Sequence, residues 1–289
     1  MKRAIHSIQA MVIRGRTFDF SQRTYLMGIL NVTPDSFSDG GKYLHVDDAV
    51  AHALRMVEEG ADIIDVGGES TRPKGVYGEG AKKVSAEEEI ERVVPVITKI
   101  RTVSDIPISI DTYKSVVADE ALKAGADIVN DISGLRFDPA IATVASKHHA
   151  ALVVMHIQGT PETMQLHPTY GDVVAEVKEE LRRSAEKATQ AGVETVIVDP
   201  GIGFGKNLQH NLLLLKHLRD FCDLGYPLLV GTSRKGFIGT LLNLPVEQRL
   251  EGTAASVAVA IMNGANIVRV HDVNEMKRVA VIVDAVKNA

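Results

Sequence analysis

The 289-residue chain has one cysteine, Cys222, and no tryptophan. A single thiol excludes an internal disulfide framework and any multi-cysteine metal site, and it suits a reducing, cytoplasmic setting. Nothing in "RDFCDLGYP" supplies a histidine or a helix start to activate a nucleophile. Cys222 therefore reads as a small buried apolar residue. Aromatic residues make up 4% of the chain, too few for a base-stacking platform, and the net charge of −5 gives nucleic acid no bulk attraction. The longest small-apolar stretch, "TAASVAVAIM", is too short to span a bilayer. The basic opening "MKRAIHSIQAMVIRGRTFDF" contains no apolar core of signal-peptide length. Neither nucleic acid nor a membrane is an expected partner.

Familiar catalytic signatures fail as well. "PGIGFGKN" resembles a phosphate loop, but Pro200 stands where its first glycine belongs and Asn207 where Ser or Thr belongs. "GTSRKG" is no nucleophile elbow, and there is no H-E-x-x-H pair for zinc. The chain carries none of these devices.

What the chain does contain is a repeated unit. "EEGADIIDVGG" from Glu58, "KAGADIVNDISG" from Lys123 and "MNGANIVRVHD" from Met262 share one pattern, and "QAGVETVIVDPG" from Gln190 is a looser copy. In each, a helical pattern ends at a glycine able to take the left-handed conformation. A short apolar run follows, as in a strand buried on both faces. "YLMGILN", "IPISID", "ALVVMH" and "PLLVGTS" supply further strands. Helical stretches separate them, one opening at Ser85 with Glu88 as its capping-box partner. Eight strands, ending near residues 31, 65, 111, 130, 156, 199, 232 and 269, predict a single (β/α)8 TIM barrel over 1–289. Residues 1–22 form an N-terminal extension or hairpin leading into it. An open doubly wound sheet shares the alternation, but the count of eight favours the barrel.

Barrel sites lie at the carboxyl ends of the strands. The residues there are Asn31, Asp65, Asp111, Asn130 with Asp131, His156, Asp199, Ser233-Arg234-Lys235, and Arg269 with His271. Asp65, Asp111, Asn130 and Asp199 form an acceptor set suited to a flat heterocycle bearing N–H groups. Arg72, Lys235, Arg269 and His271 form a cationic set suited to an anion such as phosphate. Asp111 has an alternative role as a helix N-cap.

"GILNVTPDSFSDGG" (28–41), "DVGGESTRP" (65–73), "SIDTYK" (109–114), "VNDISG" (129–134), "MHIQGTP" (155–161), "DPGIGFGK" (199–206), "GTSRKGFIG" (231–239) and "RVHDV" (269–273) together resemble the motif series of the dihydropteroate synthases. The resemblance runs from about residue 25 to 275. It implies a transferase of folate biosynthesis that joins 6-hydroxymethyl-7,8-dihydropterin diphosphate to 4-aminobenzoate, releasing pyrophosphate, by a dissociative substitution. It implies that Asp65, Asp111, Asn130, Asp199 and Lys235 hold the pterin. Asn31 would bind Mg²⁺ with the diphosphate, which Thr71, Arg72, Arg269 and His271 would contact. Phe37, Pro73, Ser233 and Lys235 would frame the aminobenzoate. Asn31, Asp35, Arg72, Lys235, Arg269 and His271 form the implied catalytic set. Residues 32–41 would close over the mouth, and late barrel helices would form a homodimer. Two rival readings are a pterin-dependent methyltransferase, against which the diphosphate set of Arg72, Arg269 and His271 speaks, and a catalytically silent pterin-binding or structural protein, against which Asn31, Arg72, Lys235 and His271 speak. One stretch departs from the pattern: Lys74 follows Pro73 where a glycine is usual, and "GVYGEGAKKVS" lengthens the loop. That departure bears on the aminobenzoate contacts and on sulfonamide sensitivity.

Overall fold

The computed structural model describes residues 10–32, 42–70 and 83–289. A two-stranded antiparallel hairpin, β1 (Ala10–Ile13) and β2 (Arg16–Asp19), precedes the main body. Then strands and helices alternate: β3 (Tyr25–Asn31), α1 (Lys42–Glu58), β4 (Ile63–Gly67), α2 (Ala86–Val103), β5 (Ile108–Asp111), α3 (Ser115–Lys123), β6 (Ile128–Asp131), α4 (Ala140–Lys147) and β7 (Ala151–Met155). The series continues with α5 (Val173–Gln190), β8 (Val196–Asp199), α6 (Leu208–Lys216), β9 (Leu229–Val230), α7 (Gly236–Leu242), α8 (Leu250–Met262), β10 (Ile267–Val270) and α9 (Val273–Lys287).

Among the described residues, the large sheet has eight parallel strands in the order β8-β7-β6-β5-β4-β3-β10-β9. A parallel bridge from Val198 to Leu228 joins its two ends and closes the barrel. The open-sheet alternative is therefore excluded. The expected strand ends fall within two residues of the observed ones.

The repeat explains much of this regularity. Gly60, Gly125, Gly192 and Gly264 have φ of +104°, +111°, +92° and +107°, the left-handed turn that ends a helix and starts the next strand. The polar residue that follows also has work to do. Asp62, Asp127 and Asn266 each accept from the backbone N–H of a neighbouring strand, at Leu26, Ile108 and Leu228, all at 2.9 Å. Three of the four repeats thus stitch their strand to the one before it.

Two cores result. One fills the space between strands and helices. The other fills the barrel: Met27, Ile63, Ile128, Val153, Ile197, Leu229 and Ile267 meet Met11, Ile13, Phe18 and Phe20 of the hairpin. The Phe18 ring lies 4.8 Å from that of Tyr25, centroid to centroid. Burying each such phenylalanine contributes about 2 kcal/mol. The hairpin therefore plugs the amino end of the barrel with apolar side chains and leaves the carboxyl end for polar ones. No helix among the described residues is long and apolar enough to cross a membrane.

Candidate active site

Alternation along each strand sends every second side chain into the barrel. Above the apolar layer, β4 presents Asp65, β5 Asp111, β6 Asn130, β8 Asp199 and β10 Arg269. Asp65 is wholly buried. Its Oδ2 accepts from Arg269 Nε at 2.5 Å and from Asn130 Nδ2 at 3.1 Å. Arg269 Nη2 donates to Asp111 Oδ2 at 2.6 Å. Five strands are thus tied or aimed at one point.

Arg269, expected in the cationic half of the site, is also tied to the acceptor half. Its guanidinium turns inward and binds the acidic set. Two buried carboxylates on neighbouring strands need a cation, and the planar guanidinium meets both. Burial disfavours its charge, but Asp65 and Asp111 outweigh that and raise its pKa. Five N–H donors mean that two carboxylates do not exhaust it.

Burial pushes Asp111 above the ordinary carboxylate range; Arg269 opposes this and Asp65 adds to it. Asp199 is raised for the same first reason, with Lys235 opposing. Lys235 is lowered to about 8 by burial, against the pull of Asp199. Its Nζ donates to the Ile202 carbonyl and stands 4.6 Å from the centre of the Phe204 ring. Asp65 Oδ1 is buried without a hydrogen-bond partner among the described residues. An acceptor left open in a dry site suits a ligand N–H.

Asp111 is not a helix cap. The N-cap of α3 is Lys114, and Asp138 Oδ2 accepts from the Ser115 N–H at 2.7 Å. Ser85 does cap α2, accepting from the Glu88 N–H at 3.1 Å. Ser233 Oγ and His271 Nδ1 lie 3.0 Å apart, so the ends of β9 and β10 meet. Arg234, at φ +56°, reinforces this by pairing with Asp272. Asn31 ends β3 at the same face and is half-buried. Asp131 and His156 do not join the cluster. Asp131 accepts from Ser133 and Leu135 N–H in its own loop, and His156 faces Lys206. Asp35, Phe37, Thr71, Arg72, Pro73 and the 33–41 loop lie outside the described residues.

The loop after β8 carries the "DPGIGFGK" motif, which lacks the pattern of a phosphate loop. Its glycines answer to steric contact. A Cβ on Gly201 would lie 1.9 Å from the His156 carbonyl oxygen, and one on Gly205 would lie 2.3 Å from that of Gln158. The loop therefore packs backbone against backbone on the segment after β7. Lys206, 2% exposed, sits behind it. A lysine directly after G-x-G-x-G was the signal available. Glu69 was also passed over: with Glu89 it flanks Lys114, and it accepts from Tyr113 Oη at 2.7 Å.

An acceptor-lined slot with a lysine and an arginine at a barrel mouth defines a binder of a planar N–H heterocycle. Consistent with that class, a family model described as pterin binding enzyme matches residues 27–271. The dihydropteroate synthase of Bacillus subtilis (strain 168) is 48% identical over 286 residues, covering 98% of this chain and 96% of that one. A crystal structure of the Yersinia pestis dihydropteroate synthase in a sulfonamide drug complex superposes with a TM-score of 0.89 at 45% identity, covering 97% and 100% of the two chains. The Xanthomonas albilineans dihydropteroate synthase with 4-aminobenzoic acid gives 0.88 at 41% identity, covering 97% and 99%. The chain belongs to the dihydropteroate synthase family, whose members are transferases.

Proposed function

We propose that this protein condenses 6-hydroxymethyl-7,8-dihydropterin diphosphate with 4-aminobenzoate, forming 7,8-dihydropteroate and pyrophosphate in folate biosynthesis. The observation that carries this is the buried Asp65–Asn130–Arg269–Asp111 cluster beside Asp199 and Lys235. Dihydropterin presents ring and amino N–H groups, and the cluster presents carboxylate and amide oxygens to meet them. The 4-aminobenzoic acid in the Xanthomonas relative supports the second substrate.

Asp111, Asn130, Asp199 and Lys235 seat the ring, with Asp65 beneath them. His271, Arg269, Thr71 and Arg72 face the diphosphate. Ser233, Lys235, Phe37 and Pro73 frame the aminobenzoate. Asp35, in the segment after β3, belongs to the catalytic set. The carbon–oxygen bond to diphosphate breaks ahead of attack by the arylamine, and the electron-rich pterin carries the positive charge that develops. Cations placed in advance stabilise the departing charge, each worth roughly 4 kcal/mol at 4 Å in a medium of effective dielectric about 20. No side-chain nucleophile is required.

Among the described residues no group of three histidine, cysteine or carboxylate side chains gathers to hold a metal. Asn31 offers one amide oxygen at the mouth. That donor set suits Mg²⁺, which takes most of its oxygens from phosphate and water. Held by Asn31, Mg²⁺ would neutralise charge on the diphosphate.

The same reading includes a homodimer in the cytoplasm. Exposed Val259 and Met262 on α8, with Val281, Ile282 and Val286 on α9, support the dimer. Incubating the purified protein with both substrates and Mg²⁺ tests the function. Dihydropteroate and pyrophosphate should appear in equal amounts, and neither should form when aminobenzoate is replaced by benzoate.

A further inference from the structure

Lys206 is a buried lysine beneath the loop after β8 that the proposed reaction leaves without a task. Its Nζ lies 2.8 Å from the Phe204 carbonyl oxygen, 3.4 Å from the His156 carbonyl oxygen and 2.9 Å from His156 Nδ1. The other ring nitrogen, His156 Nε2, lies 3.4 Å from Glu180 Oε2. A carboxylate beside Nε2 calls for a proton there. Nδ1 is then an acceptor, and Lys206 must donate to it. With the two carbonyls, that makes three donations, the number an ammonium has and a neutral amine does not.

The surrounding charge agrees. Asp65, Asp111 and Asp199 bring three negative charges to the strand ends, and Arg269 and Lys235 bring two positive ones. A charged Lys206 balances the set.

We infer that Lys206 is a buried ammonium and a positioning residue: it ties the Asp199–Asn207 loop to the end of β7 and so fixes the loop that carries Asp199 to the pterin seat. This rests on the reading that the cluster is the pterin seat. The loop so fastened carries the Ile202 carbonyl that receives Lys235. Asn211 fastens it from the other side, accepting from the Gly203 N–H at 2.6 Å. The groups facing Lys206 come from every neighbouring element: His156 after β7, Glu180 on α5, Asp199 on β8, Tyr170 and His210 beside the imidazole, and Lys235 ahead of α7. The charge rests on the three acceptors that meet Nζ; burial, the largest influence, and Lys235 push its pKa well below that of an ordinary lysine, while Asp199 and Glu180 oppose them. Reciprocally, Lys206 favours the ionised form of Asp199.

The test combines two readouts. The first is the affinity of wild type and Lys206→Met for 6-hydroxymethylpterin across pH. The variant should bind roughly ten- to a hundredfold more weakly, the range for a lost charge-assisted hydrogen bond. The acid limb of its binding curve should move to higher pH, because Asp199 loses a cation. The KM for aminobenzoate should stay put. Unchanged affinity, or an unmoved limb, overturns the inference. The second readout needs no variant and no ligand: 15N spectra of histidine-labelled wild type. A proton on His156 Nε2 with bare Nδ1 upholds the inference, and the opposite tautomer refutes it even if Lys206→Met fails to fold. A wild type that binds no pterin defeats the reading of the site instead, and the tautomer still decides Lys206.

Discussion

Arg269 Nε stands 2.5 Å from Oδ2 of Asp65, a carboxylate with no exposure to solvent. Position 269 closes the chain of strands and position 65 lies near its beginning, so the pair fastens the barrel across β10 and β4. Removing one member of a buried pair leaves an uncompensated charge. Arg269→Met should destabilise the protein by about 3 kcal/mol or more, read from urea unfolding. Adding Asp65→Asn should recover part of that loss. Two independent, additive losses would argue that the pair is incidental.

The pH profile should be bell-shaped. Asp111 and Asp199 are both raised, so the acid limb of kcat/KM for the pterin substrate lies above the ordinary carboxylate value of about 3.9. The two carboxylates titrate as a set rather than singly. Activity rises as they ionise and become acceptors. It falls again as Lys235 loses its proton near pH 8. Asp111→Asn should simplify the acid limb, and Lys235→Met should abolish the alkaline one. An alkaline limb that survives in Lys235→Met assigns it to another group.

Glycines of like backbone conformation should differ sharply in cost. Gly201 has φ +67° and meets the His156 carbonyl, whereas Gly225, at φ +77°, has open space around its missing Cβ. Gly225→Ala should cost about 1 kcal/mol, the price of a left-handed alanine alone. Gly201→Ala adds a backbone collision, and about 3 kcal/mol or more is expected. Matching urea midpoints for the two variants would contradict the packing described for this loop.

Bond cleavage ahead of amine attack has its own signature. With aminobenzoate withheld, 18O placed in the oxygen that joins the methylene carbon to the diphosphate should scramble into the non-bridging positions of the same phosphorus. Scrambling that requires the amine excludes the dissociative order.

Much of the barrel is legible in the residues because its strands are buried on both faces. "YLMGILN" and "VIVDPG" read as apolar runs that stop at a polar group, and they do stop there. The left-handed glycines of the repeat are equally plain. What spacing cannot convey is partnership across the barrel. Arg269 finds Asp65 and Asp111 over 204 and 158 positions of chain, and charge alone sorted it with the anion-binding residues. Lys206 escaped for the opposite reason: a lysine in a glycine-rich loop looks solvated until the loop is seen packed on the His156 backbone. His156 and Asp131 show the limit of the strand-end rule. Neighbouring positions on one strand alternate faces, so only Asn130 of the Asn130-Asp131 pair enters the barrel.

A crystal structure with a bound dihydropterin diphosphate analogue decides the main proposition. The ring should lie among Asp111, Asn130, Asp199 and Lys235, with its diphosphate toward His271 and Arg269. A ring seated elsewhere, or a diphosphate pointing away from the end of β10, contradicts it.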